Sequence, residues 1–366
     1  MENKENRNVV LASGGTGGHI FPAEALALEL KSRGISCALI TDERYEKYVG
    51  HLQQFDAYTI RTGTLSGNLL KKLKNVINIM IGFYQAWVLL KQLKPKVVVG
   101  FGGYPSFPTM YVAVKMGIKT VIHEQNSLLG HTNQFLSGMV DVIATSFKDM
   151  TGLDKQYQHK VNIVGNPVRP SIAALRDMPF PTLSDEGVLR ILVIGGSQGA
   201  SIFSDVVPDA IALLPQELRS RIRVDQQCRQ NDLDKTRAKY KEIGVSADLA
   251  SFFTDMPLRL ASTHLLITRS GATSLSEITV AGRPAIMVPY PHAKDNHQMV
   301  NATALEDVGG GWVIPQEAFT PETLSAKIET FLKLPSTVID AAKNAKEAGL
   351  PDANKDLANI IQKFLE

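Results

Sequence analysis

Cysteine is scarce in this sequence, and its two residues are not arranged for a structural role. Cys37 and Cys228 are the only cysteines in 366 residues, and they lie far apart in unrelated contexts. Two isolated thiols exclude a disulfide framework and a thiolate zinc site. A chain without disulfides is typical of a reducing compartment, so we expect a cytosolic protein.

Long apolar segments are also missing. The first residues, MENKENRN, are charged and lead directly into a predicted strand, so we expect no signal peptide. The longest apolar run, Val76–Leu90, is interrupted by Asn78, Gly82 and Gln85. A helix that spans a bilayer needs about 18–20 apolar residues, so this run predicts no transmembrane segment.

The composition is that of an ordinary globular protein. Hydrophobic residues make up 44% and charged residues 20% of the chain, which excludes disordered and fibrous classes. One hydrophobic core rarely exceeds about 250–300 residues, so this length predicts two domains. Residues 1–168 carry 18 basic against 12 acidic side chains, whereas the whole chain has a net charge of only +3. This excess is either random scatter or the mark of an anionic partner such as phosphate, a lipid headgroup or nucleic acid.

Apolar, β-rich runs alternate with helical patterns along the chain. Strands are predicted at 8–13, 36–41, 96–100, 119–122, 141–145, 190–194, 221–225, 249–253, 264–268 and 285–289, and helices at 21–33, 69–93, from about 202 and at about 353–365. This alternation predicts βαβ units and parallel sheets.

The alternation breaks once, at the proline-rich stretch that begins near residue 165. We therefore predict an α/β fold of two tandem Rossmann-like domains, 1–168 and 169–350, and a terminal segment, 351–366, whose helix is able to cross back to the first domain. Ligands collect beyond the carboxyl ends of parallel strands, so the expected ligand site is the cleft between the domains.

Four glycine-rich turns follow predicted strands. GGTGGH at Gly14–His19 and GGSQGA at Gly195–Ala200 each open a helix, and GFGGYPS at Gly100–Ser106 and RSGAT at Arg269–Thr273 follow two further strands. The first two lack the G-x-G-x-x-G dinucleotide pattern, and the sequence has no P-loop. Backbone N–H groups at such helix starts bind phosphate or a polarised oxygen; a tight turn without a ligand is the alternative.

Polar side chains follow several of these strands. His19 lies at a helix N-terminus, where a cation is disfavoured, so a neutral ring could act as a general base; the alternative is a local hydrogen bond. His123–Asn126 suits a polyhydroxylated ligand, or else a capped loop. Glu277 could accept hydrogen bonds from ribose hydroxyls, or lie on a solvated helix face. Asp295–Gln298 could bind sugar hydroxyls, unless Asp295 is simply an N-cap.

Metal-binding signals are weak. The D-x-D pattern at Asp232–Asp234 lies in a polar stretch that opens a helix, and not at the end of an apolar strand. We interpret it as a charge pattern at a helix N-terminus and predict no metal site.

The predicted helix 69–93 carries a wide apolar surface. At about 100° per residue, its apolar side chains fall on two stripes. The first contains Leu73, Val76, Ile77, Met80, Tyr84, Trp87 and Val88, and the second contains Ile79, Phe83, Ala86, Leu90 and Leu93. The helix is either buried between neighbours, or one stripe packs inward while the other enters a bilayer interface beside Lys71, Lys72 and Lys74.

Seven motifs, taken together and in order, resemble the MurG family of bacterial peptidoglycan N-acetylglucosaminyltransferases. They are the four turns above, the last extended to RSGATSLSE at Arg269–Glu277, with HEQN at His123–Asn126, GNPVR at Gly165–Arg169 and DNHQMVNA at Asp295–Ala302. The resemblance covers essentially the whole chain and implies a glycosyltransferase-B fold with its active site in the interdomain cleft. It implies an inverting transfer of GlcNAc from UDP-GlcNAc to the C4 hydroxyl of MurNAc in undecaprenyl-pyrophosphoryl-MurNAc-pentapeptide, the last cytoplasmic step of peptidoglycan precursor synthesis.

The resemblance assigns most donor contacts to the second domain. Glu277 would bind ribose and Phe253 would present its backbone to uracil, while His297 and Gln298 would bind the GlcNAc hydroxyls. Some members have Gln-Gln in place of this last pair. The other implied donor contacts are Thr16, Gly17, Gly18, Asn126, Arg169, Ser197, Ala272, Thr273, Ser274, Leu275 and Ser276.

The resemblance assigns the acceptor to the first domain. The implied contacts are Gly15, Gly102, Gly103, Tyr104 and Glu124, with Thr16, Gly17 and Gly18 also facing the acceptor pyrophosphate. His19 is the implied general base, with Glu124 as the alternative. No cofactor is implied as required, and Mg²⁺ would at most stimulate the reaction.

The resemblance also implies a peripheral protein on the cytoplasmic face of the bacterial inner membrane, bound to anionic lipids and not to nucleic acid. In that context membrane contact by helix 69–93 is favoured. The implied contacts are Ile77, Ile81, Tyr84 and Trp87, with Lys71, Lys72 and Lys74. The alternatives on the same fold are a UDP-GlcNAc 2-epimerase, another UDP-sugar transferase or a noncatalytic UDP-sugar-binding protein.

Overall fold

The computed structural model describes residues 8–14, 17–48, 54–63, 69–148, 150–196 and 199–366. The chain folds into two compact units. The first contains Met1–Arg169 and Asp352–Glu366, and the second contains Pro170–Pro351. The limits predicted from the sequence lie after residues 168 and 350.

The first unit is built on a parallel sheet of seven strands in the order β3-β2-β1-β4-β5-β6-β7. The strands are β1 (Val9–Ala12), β2 (Cys37–Thr41), β3 (Asp56–Thr59), β4 (Val97–Gly100), β5 (Lys119–Glu124), β6 (Val142–Thr145) and β7 (Val161–Ile163). The helices are α1 (Gly17–Ser32), α2 (Leu69–Leu93), α3 (Ser106–Lys115) and α4 (His131–Leu136).

The second unit repeats this strand order with one strand fewer, β10-β9-β8-β11-β12-β13, again all parallel. Its strands are β8 (Leu189–Ile194), β9 (Ile222–Gln227), β10 (Ser246–Ala250), β11 (Leu265–Thr268), β12 (Ala285–Met287) and β13 (Gly311–Val313). Its helices are α5 (Pro170–Ala173), α6 (Ser201–Ala212), α7 (Gln216–Arg219), α8 (Leu233–Glu242), α9 (Met256–Ser262), α10 (Ala272–Val280), α11 (His297–Asp307), α12 (Pro321–Lys333) and α13 (Ser336–Ala348).

The last helix, α14 (Ala353–Gln362), returns the chain to the first unit. Its Leu357, Ala358 and Ile361 join the buried cluster that also holds the apolar face of α1. Arg33 at the end of α1 donates a hydrogen bond to Asn359 Oδ1 at 2.7 Å. The two helices therefore cover one face of the first sheet together.

Both faces of the first sheet are covered, which explains why its strands are continuous apolar runs. Val9 and Leu11 of β1 face the α1 and α14 side, whereas Val10 and Ala12 face the cluster that includes α2 and α3. Successive side chains of a strand point to opposite faces, so a strand buried on both sides needs an apolar residue at each position.

The predicted strands of the sheet interiors are present, with ends shifted by one or two residues. The four edge strands were not found correctly: the predicted strand 249–253 is β10 at Ser246–Ala250, and no strand was predicted for β3, β7 or β13. The predicted helix 21–33 begins four residues earlier, at Gly17. Pro22 therefore lies inside α1, where it cannot donate to the Gly18 carbonyl, a loss of one hydrogen bond close to the helix start.

Each sheet has one point at which the strand order reverses. In the first sheet it lies between β1 and β4, and in the second between β8 and β11. The connections that follow these strands leave to opposite sides and open a crevice at their carboxyl ends, which is where ligands bind in open α/β sheets. All four predicted glycine turns follow these four strands.

Candidate functional site

In the first unit, the turns after β1 and β4 meet at the ring of His19. His19 is the third residue of α1, and Gly102 and Gly103 follow β4 with φ of +81° and +71°. A Cβ on Gly103 would lie 3.2 Å from His19 Cδ2 and 3.3 Å from Nε2, and one on Gly102 would lie 3.6 Å from Cε1. Only glycine allows this backbone to turn and to lie against the ring. Gly15 and Thr16, two of the predicted contacts, lie outside the described residues.

His19 is tied to the end of β5 by a chain of hydrogen bonds. His19 Nδ1 lies 2.9 Å from Gln125 Oε1, and the Gln125 amide nitrogen lies 3.0 Å from both Phe101 O and His123 Nδ1. His123 Nε2 in turn lies 2.9 Å from Gly165 O. Burial lowers the pKa of His123 to about 4, so this ring is neutral at physiological pH.

Glu124 is a buried residue of β5, because that strand continues two residues beyond its predicted end. One carboxylate oxygen accepts hydrogen bonds from the backbone and side chain of Asn126, at 3.1 and 3.2 Å. The other accepts from Gly130 N at 3.0 Å and from Asn133 Nδ2 at 2.9 Å. Four internal donors thus surround the carboxylate and hold the loop between β5 and α4.

The sequence analysis missed a cation beside the glycine turn after β4. The Arg44 guanidinium lies 4.8 Å from the ring centroid of Tyr104, a predicted acceptor contact. Asp42, at the end of β2, accepts a hydrogen bond from Arg44 Nε at 2.9 Å. The charged segment DERY, residues 42–45, directly follows β2, the neighbour of β1. Its position after that strand could have indicated the cation from the sequence.

In the second unit, the turn after β8 is tight enough to exclude side chains. A Cβ on Gly195 would overlap the backbone nitrogen of Ala200, and Gly196 and Gly199 have φ of +79° and +67°. Helix α6 begins directly afterwards, and Ala200 at its N-cap supplies no side-chain cap. Ser197, the predicted diphosphate contact in this turn, lies outside the described residues.

The turn after β11 leads into α10, whose N-cap, Gly271, also supplies no side-chain cap. Thr273 and Ser274 lie four and three residues before Glu277, so both lie on the same half-buried side of α10 as Glu277. Leu275 and Ile278 belong to the opposite, core-facing side. The predicted donor contact at Leu275 is therefore limited to its backbone; Ala272 is buried, and Ser276 Oγ donates back to Ala272 O at 2.9 Å.

Arg269 joins the ends of β11 and β12. Its guanidinium donates to Val288 O at 3.0 Å, Pro289 O at 3.2 Å and Gln316 Oε1 at 2.6 Å. Burial lowers the pKa of Arg269. These bonds fix the start of α10 relative to the loop that leads to α11.

The loop before α11 has two consecutive residues in the left-handed region, Asp295 at φ 53° and Asn296 at φ 55°. Asp and Asn are the non-glycine residues that tolerate this conformation best. Gln298 Oε1 accepts a hydrogen bond from Tyr290 N at 3.0 Å, which closes the loop onto α11. His297 is the first residue of that helix.

The remaining predicted donor contacts lie in separate places. Phe253 is buried, and the Arg259 guanidinium lies 3.8 Å from its ring centroid. Arg169 belongs to the first unit, where its guanidinium lies 5.1 Å from the ring of Phe21.

The two carboxylates of the D-x-D pattern lie at the start of α8. Asp232 accepts a hydrogen bond from Ser201 Oγ at 2.8 Å, and Asp234 pairs with Arg237 at 3.0 Å, as expected for charges at a helix start.

A second candidate surface is the exposed stripe of α2. The second predicted stripe packs inward, with Ala86, Leu90 and Leu93 buried. Six residues of the first are exposed, namely Leu73, Val76, Ile77, Met80, Tyr84 and Trp87, whereas Ile81 is half-buried. Lys72 and Lys74 are also exposed; the side chain of Lys71 lies outside what the structure describes. By length and mean hydropathy, 1.3, Lys72–Leu93 is able to cross a membrane, which the sequence analysis did not predict.

Two parallel-sheet units with glycine turns at both switch points form an architecture that two-domain glycosyltransferases use. Residues 9–145 match the N-terminal domain of glycosyltransferase family 28, and residues 190–357 match its C-terminal domain. The UDP-N-acetylglucosamine--N-acetylmuramyl-(pentapeptide) pyrophosphoryl-undecaprenol N-acetylglucosamine transferase of Zymomonas mobilis is 46% identical over 98% of this chain and 92% of its own. The chain belongs to this family of transferases, the MurG family, so the predicted family and fold class are confirmed.

Solved structures agree with this membership. The crystal structure of Acinetobacter baumannii MurG matches with a TM-score of 0.78 and 29% identity, over 97% of this chain and 99% of that one. A UDP-GlcNAc 2-epimerase from Neisseria meningitidis, bound to UDP-GlcNAc, matches with a TM-score of 0.67 but only 14% identity, over 97% and 99% of the chains. The epimerase therefore shares the fold alone.

Replacing Gly103 with alanine should reduce transfer by about tenfold or more, because the new Cβ displaces the His19 ring. Gly117→Ala is the matched control: its φ is +70°, and no atom lies within 4 Å of the added Cβ. Both substitutions cost about 1 kcal/mol of backbone strain, so melting temperatures should fall alike. Turnover measured at saturating substrates should fall only in the Gly103 variant; equal losses in both would contradict the contact.

Proposed function

We propose that this protein transfers GlcNAc from UDP-GlcNAc to the C4 hydroxyl of MurNAc in undecaprenyl-pyrophosphoryl-MurNAc-pentapeptide, with inversion at the anomeric carbon. The observation that carries this proposal is the 46% sequence identity, over 98% of this chain, to a transferase named for these substrates. Glycine turns at the switch points of both sheets support it, because one reaction with two phosphate-bearing substrates needs two phosphate sites.

We assign the donor to the second unit. Helices α6 and α10 begin without a side-chain cap, and the backbone N–H groups and positive dipole end at each N-terminus suit a diphosphate. Glu277 lies on the same face of α10 as Thr273, one turn further along, where a carboxylate can accept hydrogen bonds from ribose hydroxyls. The Gln298 amide and His297 then bind the GlcNAc hydroxyls.

We assign the acceptor to the first unit. His19, Gly102 and Gly103 lie at its switch point, and Tyr104 and Arg44 lie beside them. The glycines allow a substrate to approach the backbone closely, and Arg44 supplies a positive charge near the expected pyrophosphate.

In the proposed reaction the C4 oxygen of the acceptor attacks C1 of GlcNAc from the face opposite UDP. The new C–O bond forms as the bond to the β-phosphate oxygen breaks, and the electron pair leaves with UDP. The hydroxyl proton passes to His19 Nε2. The helix N-termini stabilise the negative charge that develops on UDP, so we propose that no resident metal is required.

His19→Ala should lower kcat by about 10²–10⁴-fold and leave the Kd of UDP-GlcNAc unchanged, because the general base takes no part in donor binding.

Glu277→Gln should instead weaken UDP-GlcNAc binding by about tenfold, the value of a lost charge-assisted hydrogen bond. Transfer to a short-chain lipid acceptor measures the first effect, and titration calorimetry measures the second.

Glu329→Gln is the control for Glu277, since Glu329 pairs with Lys333 on α12, away from the turns. Unchanged turnover of the His19 variant would remove His19 from the chemistry. Formation of a 2-epimer from UDP-GlcNAc without acceptor would favour the epimerase, and binding without any turnover would favour a sensor.

We further propose that the protein is peripheral on the cytoplasmic face of the inner membrane and binds anionic lipids through α2. The exposed stripe is apolar over several turns and begins beside Lys72 and Lys74. Buried Ala86 and Leu90 tie the opposite face of α2 to the sheet, so the helix lies on the surface of the fold. An apolar face with flanking lysines suits the interface of an anionic bilayer.

The double substitution Met80→Glu and Tyr84→Glu should reduce binding to phosphatidylglycerol vesicles by about tenfold or more, because two large apolar side chains no longer enter the interface. Co-sedimentation measures the bound fraction. Leu258→Glu with Leu334→Glu is the control, since these side chains are 73% and 55% exposed in the second unit. Equal binding by both double variants would contradict the assignment to α2.

A further inference from the structure

We infer that Gln125 positions the general base by fixing which nitrogen of the His19 ring carries the proton, and that buried His123 fixes Gln125 in turn. The inference rests on the proposed role of His19 and adds two positioning residues to it. Neither needs to touch a substrate. The observations that carry it are the hydrogen bonds among His19, Gln125, His123 and two backbone carbonyls.

The orientation of the Gln125 amide follows from its surroundings. Its nitrogen lies 3.0 Å from Phe101 O and 3.2 Å from His123 O, and both are carbonyl oxygens that only accept. Reversing the amide would set an oxygen against two oxygens in a buried place, which costs free energy with no compensating bond. Gln125 Oε1 must therefore face His19.

This orientation decides the state of the His19 ring. An amide oxygen only accepts, so His19 Nδ1, 2.9 Å away, must carry a hydrogen. In a neutral ring the lone pair is then on Nε2, the nitrogen next to Gly103. A free histidine side chain in water prefers the opposite tautomer, with the hydrogen on Nε2. Gln125 thus holds the less common tautomer, which is the one a base at Nε2 requires.

His123 fixes the chain from its far end. Gly165 O only accepts, so His123 Nε2 donates to it across 2.9 Å. Because His123 is neutral and fully buried, its Nδ1 has no hydrogen and accepts from the Gln125 amide. A charged His123 would carry a hydrogen on Nδ1 and oppose that bond; the low pKa that burial gives this ring prevents it.

The chain also remains compatible with the charged ring formed during the reaction. When Nε2 takes the acceptor proton, Nδ1–H continues to donate to the same oxygen, and the ring keeps its orientation. Gln125 is neutral, so it orients the imidazolium without the full negative charge that a carboxylate would place beside it. Both Gln125 and His123 are buried, so water cannot replace the partners that a substitution removes.

Gln125→Met tests the inference. It should lower kcat by about 10–100-fold, the usual loss when a residue that orients a functional histidine is removed. The KM for UDP-GlcNAc should stay within about twofold, because the change lies in the first unit. The decisive readout is the double variant: with His19→Ala present, Gln125→Met should cause no further loss of kcat.

Gln226→Met is the matched control for loss of a buried glutamine, since Gln226 Oε1 accepts from Tyr240 Oη at 2.6 Å in the second unit. It should lower stability, and any effect on kcat should be the same with and without His19→Ala. If Gln125→Met does not fold, Gln125→Glu keeps an oxygen toward His19, and its effect on kcat should likewise vanish in the His19→Ala background.

Equal losses of kcat from the Gln125 substitution with and without His19 would overturn the inference and leave the proposed function intact. If His19→Ala itself had wild-type kcat, the proposed base would be wrong, and the inference would fail with it.

Discussion

The hydrogen bond between His19 and Gln125 joins the ends of three neighbouring strands. His19 follows β1, Phe101 and the two glycines follow β4, and Gln125 follows β5. The Gln125 amide therefore links the three segments that leave the carboxyl ends of these strands. Without it, the ring would lie on the glycine turn with neither its rotation nor its proton determined. The orientation of the ring against Gly102 and Gly103 and the proposed assignment of a base depend on this bond.

The same physical constraint operates in both units, although the side chains differ. A parallel sheet whose strand order reverses must send two successive connections apart, which opens a crevice at the carboxyl ends of the strands. Glycines keep this space open: Gly103 lies against His19 in the first unit, and Gly195 lies against the turn to α6 in the second. The second unit adds Arg269, whose three hydrogen bonds hold the end of β11 to the end of β12.

Much of this organisation could be predicted from the sequence, because strands buried on both faces are unmistakable apolar runs. The edge strands could not: β3 (DAYT) and β10 (SADLA) have mixed composition, and their pairing with a neighbour decides where they begin. The two stripes of α2 follow from helical periodicity, and the structure shows which stripe faces the sheet. The burial of the HEQN segment could not be predicted from its polar sequence. Strand β5 extends through Glu124, and His123, Glu124 and Gln125 are all buried. Their partners, such as Gly165 and Asn133, are distant in sequence and have no local signal.

The most direct test of the central claim is the tautomer of His19 in solution. Long-range proton–nitrogen correlation spectra of protein labelled with ¹⁵N-histidine, with the His19 signals identified from the His19→Ala variant, report which ring nitrogen carries a hydrogen at neutral pH. The account predicts a hydrogen on Nδ1 and a bare Nε2 in the unsubstituted protein, and a shift toward the opposite tautomer in Gln125→Met. A hydrogen on Nε2 of His19 in the unsubstituted protein would contradict it.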